Sequence, residues 1–134
     1  MEENILSTCH FINYYNRSDD RGELTVIEKN IPFSIQRIYY LHKAKAGNRG
    51  FHAHKKLEQV IIAIHGSFTL KIDDGRETKT ITMDDPAKGL YVCPMIWREI
   101  SNFSADAVCL VLASQVYDED DYIRNYEEFE NATI

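Results

Sequence analysis

The two histidines His52 and His54 are the residues of this sequence whose type and spacing best suit chemistry. They lie between two apolar segments, and residues two apart in a β-strand point to the same face of a sheet. Their Cβ atoms would then lie about 7 Å apart. Such a pair can bind a metal ion, transfer protons or form hydrogen bonds in a polar core. The pair alone leaves these three alternatives open.

Basic residues are concentrated around the pair, although the chain has a formal net charge of −6. They are Arg37, Lys43, Lys45, Arg49, Lys55 and Lys56. The negative net charge argues against binding of nucleic acid, which requires a basic surface. A local group of cations in an acidic chain favours a small anionic ligand, while any single lysine is also typical of a solvated surface.

The segment from Gly47 to Glu58 tests the metal alternative. Its pattern Gly-x4-His-x-His-x3-Glu resembles the first metal motif of the cupin superfamily, and two histidines with a carboxylate can form a facial triad. Metal-binding cupins usually take another histidine from a second motif near a proline. Here Arg98 occupies that position, shortly after Pro94. Because arginine stays protonated in proteins, it cannot bind a divalent cation and repels one, so no metal and no other cofactor is expected.

Proton transfer is the alternative that the residue types favour next. An unperturbed histidine has a pKa of about 6.5, close to the pH at which general acid/base catalysis works best. Nearby cations favour the neutral imidazole, which is the form that a base requires. Arg98, Arg49 or a tyrosine hydroxyl could stabilise a developing oxyanion. The pair therefore suits proton abstraction next to a carbonyl through an enediolate, and two structural histidines remain the competing interpretation.

The elements that must position these residues are predicted to be strands. At 134 residues the chain is expected to be a single domain spanning 1–134. Short segments of alternating and β-branched residues, separated by turn signals such as Asp74-Gly75, predict strands, whereas residues 16–22 predict a polar loop and residues 120–130 a helix. The predicted fold is an all-β, cupin-type antiparallel jelly roll or β-barrel with a short C-terminal helix. No membrane span and no signal peptide are indicated, so a cytoplasmic location is expected.

Three parts of the sequence closely resemble the bacterial sugar 3,4-ketoisomerases, which are cupins that act on dTDP-4-keto-6-deoxy-D-glucose. They are RGFHAHKKLEQV at 49–60, GLYV at 89–92 with WRE at 97–99, and LAS at 112–114 with YDEDDYIR at 117–124. The resemblance implies a metal-free homodimer that exchanges N-terminal strands between its subunits. It also implies a reaction that removes the C3 proton and delivers a proton at C4, and that supplies a dTDP-3-keto-6-deoxyhexose for amino-sugar and surface-polysaccharide biosynthesis.

The resemblance also implies roles for individual residues. His54 corresponds to the main base and His52 to its partner in moving or orienting the proton. Arg49 and Lys56 match positions that bind the pyrophosphate, for which the planar guanidinium and the ammonium are both suited.

Other positions are implied to contact the sugar or the nucleotide. Gln59, Tyr40 and Trp97 would line the pocket. Arg21 and Arg98 are candidates for selecting the face of the enediolate that is protonated at C4, so the galacto and gluco products both remain open. The alternatives are a dTDP-sugar 3,5-epimerase, a metal-dependent cupin enzyme and a non-catalytic sugar-binding cupin.

Overall fold

A computed structural model describes residues 3–44 and 47–134, so Lys45 of the basic group and the first two residues of the N-terminus lie outside the described residues. The strands in these ranges are β1 Asn4–Leu6, β2 Cys9–Asn13, β3 Tyr15–Asp19, β4 Gly22–Val26, β5 Arg37–His42, β6 Arg49–His54, β7 Gln59–His65, β8 Phe68–Asp73, β9 Thr78–Met83, β10 Lys88–Val92, β11 Trp97–Ser101, β12 Val108–Ala113 and β13 Tyr122–Ile123. The helices there are a 3-10 turn Glu119–Asp121 and α1 Tyr126–Ala132.

The described strands form two large antiparallel sheets and a hairpin. One sheet has the order β1-β2-β10-β7-β12-β5, the other has the order β13-β6-β11-β8-β9, and β3 pairs with β4. Fully buried side chains from both sheets, such as Ile61 and Leu70, form the main core between them. The predicted all-β fold with a short C-terminal helix is confirmed. No helix in the described ranges has the length and apolar character needed to cross a bilayer.

A bulge between β6 and β11 sets the direction of the histidines. Arg98 lies opposite His52, whereas the next residue on β11 lies opposite Gly50, so Phe51 is the extra residue. Gly50 and Phe51 have φ angles of +89° and +57°. A Cβ at Gly50 would lie 2.8 Å from the Arg98 carbonyl oxygen, so glycine is required at this close approach. The bulge therefore places His52 and Arg98 side by side. Both face the space between the two large sheets, which is the interior of the barrel.

Two of the expected elements differ from the prediction. Residues 16–22 are not a loop, because polar cross-strand bonds such as Asn16 to Glu23 hold β3 against β4 in a hairpin. The tail is α-helical only from Tyr126, where the Asn125 side chain caps the helix by accepting from the Glu128 amide. Before it, Tyr122 and the next residue pair with β6 as a short strand, so Tyr122 does not belong to the helix predicted over residues 120–130.

Candidate active site

The two histidines share one face of β6, as their spacing predicts. The ring centroids of His52 and His54 lie 4.9 Å apart with planes at 84°. His54 is buried at 1% exposure, and His52 is partly buried. Tyr122 of β13 packs against both rings, at 4.3 Å from His54 and 5.0 Å from His52. The three rings therefore form one aromatic group inside the barrel.

The hydrogen bonds of the two imidazoles define which nitrogen atoms are available for chemistry. His52 Nδ1 lies 3.0 Å from the Gly50 carbonyl oxygen, and His54 Nδ1 lies 3.3 Å from Asp121 Oδ2. Both partners are acceptors, so Nδ1 carries the proton in each neutral ring. His54 Nε2 is buried and finds no hydrogen-bond partner among the described residues. The lone pair of this atom is therefore free to accept a proton.

Burial and positive charge keep both rings neutral. Desolvation, followed by the charge of Arg98, lowers the pKa of His52 from 6.5 to about 4. The same two causes lower the pKa of His54 from 6.5 to about 2. An anion bound beside the rings would raise the pKa of both imidazoles, because a negative charge stabilises the imidazolium.

Arg98 is the source of that positive charge, and it lies on β11 inside the barrel at 2% exposure. It donates from one terminal nitrogen to Gln59 Oε1 and from the other to the Ile96 carbonyl oxygen at 3.0 Å. Within the described part of the chain, its Nε has no partner and its guanidinium forms no ion pair. A buried cation without a counter-charge is costly, and desolvation lowers its pKa. The arrangement favours binding of an anion beside the histidines.

A cationic and aromatic rim surrounds this group. Arg124 lies 4.1 Å from the Tyr122 ring centroid and binds both carboxylate oxygens of Glu119, at 2.7 and 2.8 Å. Tyr117 donates to Glu119 at 2.5 Å. The guanidinium of Arg37 lies 5.5 Å from the Tyr117 ring centroid. The rim can therefore present planar rings and guanidinium groups to an anionic aromatic ligand.

The described residues do not form the metal site that the motif suggested. Glu58, its third member, accepts a hydrogen bond from the Tyr91 hydroxyl at 2.6 Å instead of approaching the histidines. In residues 3–44 and 47–134, no group of three or more His, Cys, Asp or Glu side chains is placed to bind a metal ion. The Arg98 charge beside the pair would also oppose a divalent cation.

Four of the predicted site residues come together in the interior, namely His52, His54, Gln59 and Arg98. Arg49 and Lys56 lie on the same segment as the histidines, at the start of β6 and directly after its end, and both are exposed. Both lie outside the buried group and are accessible to solvent.

The structure does not bring the other three predicted residues to this group. Tyr40 is 61% exposed, because the inward residue of β5 at this point is Tyr39, whose hydroxyl accepts from Gln59 Nε2 at 3.2 Å. Trp97 packs under α1 on the outer face of its sheet. Arg21 lies at the tip of the β3–β4 hairpin and pairs with Asp19 at 2.8 Å.

Comparisons with known proteins identify the family. The family model described as "FdtA: WxcM-like, C-terminal" matches residues 7–133. A curated relative from Aneurinibacillus thermoaerophilus, named TDP-4-oxo-6-deoxy-alpha-D-glucose-3,4-oxoisomerase, is 54% identical over 121 residues, which are 88% of this chain and 87% of the relative. The chain belongs to the FdtA family of nucleotide-sugar 3,4-ketoisomerases.

Solved ketoisomerases share its structure closely. A sugar 3,4-ketoisomerase from Thermoanaerobacterium thermosaccharolyticum, solved in complex with TDP, is 42% identical, with a TM-score of 0.93 over 96% of both chains. A His-to-Asn variant of that enzyme was solved with TDP-4-keto-6-deoxyglucose. A TDP-quinovose 3,4-ketoisomerase from Campylobacter jejuni is 43% identical, with a TM-score of 0.89 over 94% of this chain and 99% of its own.

Three interior residues of this ketoisomerase are absent from the predicted site, namely Tyr39, Asp121 and Tyr122. The sequence predicts Tyr40 rather than Tyr39, because the face of a strand changes with every residue and the sequence does not show which face is inward. A single helix over the tail, as the sequence predicts, gives Asp121 and Tyr122 no place beside the histidines. The signal that could have found them is the YDEDDYIR segment at 117–124, which is one of the three parts of the sequence that resemble the family.

Proposed function

We propose that this ketoisomerase moves the keto group of dTDP-4-keto-6-deoxy-D-glucose from C4 to C3 without a metal ion. His54 Nε2 takes the proton from C3, and the electron pair of that bond forms the C3–C4 double bond of an enediolate whose negative charge lies on the C4 oxygen. The proton of the C3 hydroxyl passes to the C4 oxygen, which moves the negative charge to the C3 oxygen. The protonated histidine pair then delivers a proton to C4, which leaves a ketone at C3, a hydroxyl at C4 and neutral imidazoles. The observation that carries the proposal is the buried Nε2 of a neutral His54 beside the buried Arg98 guanidinium, where neither Nε2 nor the guanidinium charge has a partner among residues 3–44 and 47–134.

Arg98 gives the proposed intermediate its electrostatic support. The enediolate anion would provide the counter-charge that the guanidinium lacks, and the low polarity of the interior would strengthen this interaction. The same anion would raise the pKa of the two imidazoles and so bring their basicity closer to neutral pH. His52, whose ring centroid lies 4.9 Å from that of His54, is proposed to move or orient the second proton.

The remaining predicted residues are assigned to binding. Arg49 and Lys56 are proposed to bind the pyrophosphate, because both are exposed cations on the segment that carries the histidines. Gln59 is proposed to contact the sugar, because its bond to Arg98 holds it beside the histidines in the interior. Tyr40 and Trp97 would reach the ligand only if the outer faces of their strands also met it. The galacto or gluco product depends on the face of C4 that is protonated, for which Arg98 and Arg21 remain the candidates.

We further propose a homodimer in which N-terminal strands are exchanged. The β3–β4 hairpin packs little within its own chain, since Tyr15 is 62% and Leu24 58% exposed, and a free two-stranded hairpin is marginally stable in water. The large sheet also exposes Ile38 and Tyr40, at 59% and 61%. Light scattering should give twice the chain mass, and Leu24→Asp should shift the protein towards monomer. A monomeric wild-type protein at micromolar concentration would contradict the dimer, and Arg21 would then have no route to a site.

Proton NMR of the dTDP-4-keto sugar in heavy water tests the reaction directly. The enzyme should exchange the C3 proton and produce a 3-keto sugar, and the coupling constants of H4 would then give the configuration of the product. Exchange at both C3 and C5 would instead indicate a 3,5-epimerase. Binding without exchange would indicate a sugar-binding cupin.

The metal-dependent alternative needs its own experiment. Protein purified without added metal should retain full turnover after treatment with a chelator. Loss of turnover that is restored by one divalent metal would contradict the metal-free mechanism while leaving the ketoisomerase reaction intact.

A further inference from the structure

Asp121 is a buried carboxylate that contacts both the proposed base and the segment that follows it. It is 6% exposed and lies at the end of the 3-10 turn. Its Oδ2 is 3.3 Å from His54 Nδ1. Its Oδ1 accepts from the Lys56 amide at 2.8 Å, and its Oδ2 accepts from the Leu57 amide at 3.2 Å. The carboxylate therefore binds two backbone amides and the imidazole at the same time.

The contact with His54 fixes the tautomer of the imidazole. Both carboxylate oxygens of Asp121 accept backbone amides, so the group acts as an acceptor and Nδ1 is the donor towards it. The proton of the neutral ring is then on Nδ1, and the lone pair is on Nε2, the atom without a partner among the described residues. The opposite tautomer would place two acceptors against each other and leave an N–H at the point where a proton must be taken up.

The backbone contacts fix the segment that carries Lys56. The Lys55 amide donates to the backbone carbonyl of Asp121 at 2.9 Å, so three successive amides, those of residues 55, 56 and 57, are held by one residue. This segment leaves β6 directly after His54. The orientation of the base and the position of Lys56 therefore depend on the same residue.

We infer that Asp121 is a positioning residue that keeps the proton of His54 on Nδ1, so that Nε2 is the base, and that anchors the segment carrying Lys56. The role of this residue in turnover rests on the proposed function. The tautomer of His54 does not, because it can be measured without substrate.

The Asn and Ala variants separate the two roles. Asp121→Asn can keep the bond from the Lys56 amide, because its amide oxygen can take the place of Oδ1. Its amide nitrogen, in the place of Oδ2, gives up the bond from Leu57 and turns a donor towards His54 Nδ1, which selects the Nε2–H tautomer. We expect its kcat to fall by about 100-fold or more, since general acid/base groups contribute about 10²–10⁴-fold. Its affinity for TDP should stay unchanged. Asp121→Ala loses both anchors and should also bind TDP more weakly. Asp120→Asn, at the exposed neighbouring position, is the matched control and should behave as the wild type.

Long-range proton–nitrogen NMR of the histidine-labelled wild type and Asp121→Asn is the decisive measurement. The inference requires Nδ1–H in the wild type and Nε2–H in the variant. An Nε2–H signal in the wild type, or wild-type kcat in Asp121→Asn, would overturn it, and the first result needs no variant to fold. A wild type that shows the Nδ1–H signal but does not convert the dTDP-4-keto sugar would overturn the proposed function and leave the tautomer assignment standing.

Discussion

Trp97 and Arg98 are neighbours on β11, but they lie in two regions of opposite character. The Trp97 side chain faces outwards, packs at 5.9 Å from Phe129 and donates from Nε1 to Glu99 at 3.0 Å. Arg98 faces the barrel interior, where its own Nε and the Nε2 of His54 are buried without partners in the described residues. The outer region under α1 is apolar, and its indole nitrogen donates a hydrogen bond. The inner region contains buried nitrogen atoms that have no hydrogen-bond partner in the described residues.

This difference separates stability from function. Buried polar atoms that lack partners destabilise a fold, so a sequence that retains them is expected to use them for a ligand. Packed apolar rings have no such need, and their removal leaves a cavity. Substitutions in the inner region should therefore reduce turnover with little loss of stability, and those in the outer region should do the reverse.

The largest effect is expected from His54→Asn in the inner region. Without the imidazole the C3 proton has no acceptor, and kcat should fall by about 10²–10⁴-fold or more. Circular dichroism should show an unchanged fold with a similar melting temperature, because the neutral ring makes one long side-chain bond. His65→Asn, at an exposed histidine paired with Asp106, is the matched control and should keep full activity. Full activity in His54→Asn would remove His54 from the mechanism.

Phe129→Ala in the outer region is expected to have the next largest effect, which is a loss of stability. Phe129 is fully buried among Ala53, Trp97 and Ile123, so truncation should lower the free energy of unfolding by about 3–5 kcal/mol. Urea denaturation measures this loss. Turnover per folded molecule should stay at the wild-type value at low temperature. A variant with normal stability but low kcat would show that the helix serves the site rather than the fold.

The pH dependence of stability tests whether the inner region holds its two histidines neutral. The pKa values of His52 and His54 are lowered from 6.5 to about 4 and about 2, so the unfolded chain binds more protons than the folded one below pH 6.5. The free energy of unfolding should therefore fall as the pH drops from 6.5 towards 4, by about 1.4 kcal/mol per pH unit for each histidine. Urea titrations at each pH should give a shallower slope for His52→Asn. Equal slopes would mean that the ring is not held neutral by its surroundings.

Part of the difference between the inner and the outer region can be predicted from the sequence. The shared face of His52 and His54 follows from a period of two within one strand, which needs no knowledge of the partner strands. The strands themselves were predictable from alternation and turn residues, as for β8 and β9 around Asp74-Gly75. These features depend on neighbours in sequence only.

The rest depends on contacts that are distant in sequence. Tyr39 and Tyr40 differ by one position, and only the pairing of β5 with β12 decides which of them faces inwards. Asp121 lies 67 residues from His54, and it reaches the site because the chain returns as β13 beside β6. The family resemblance implies that both Trp97 and Arg98 lie in the pocket, whereas adjacent residues of a regular strand point to opposite faces.

Trp97→Phe has the smallest expected effect and tests that last point. Phenylalanine keeps an aromatic ring against Phe129 and Tyr126 but removes the bond to Glu99, which should cost about 1 kcal/mol of stability. Because the indole lies on the outer face, kcat and KM for the dTDP-4-keto sugar should not change. A raised KM with unchanged stability would return Trp97 to the sugar pocket, and the two faces of β11 could then no longer be assigned separately to stability and to substrate binding.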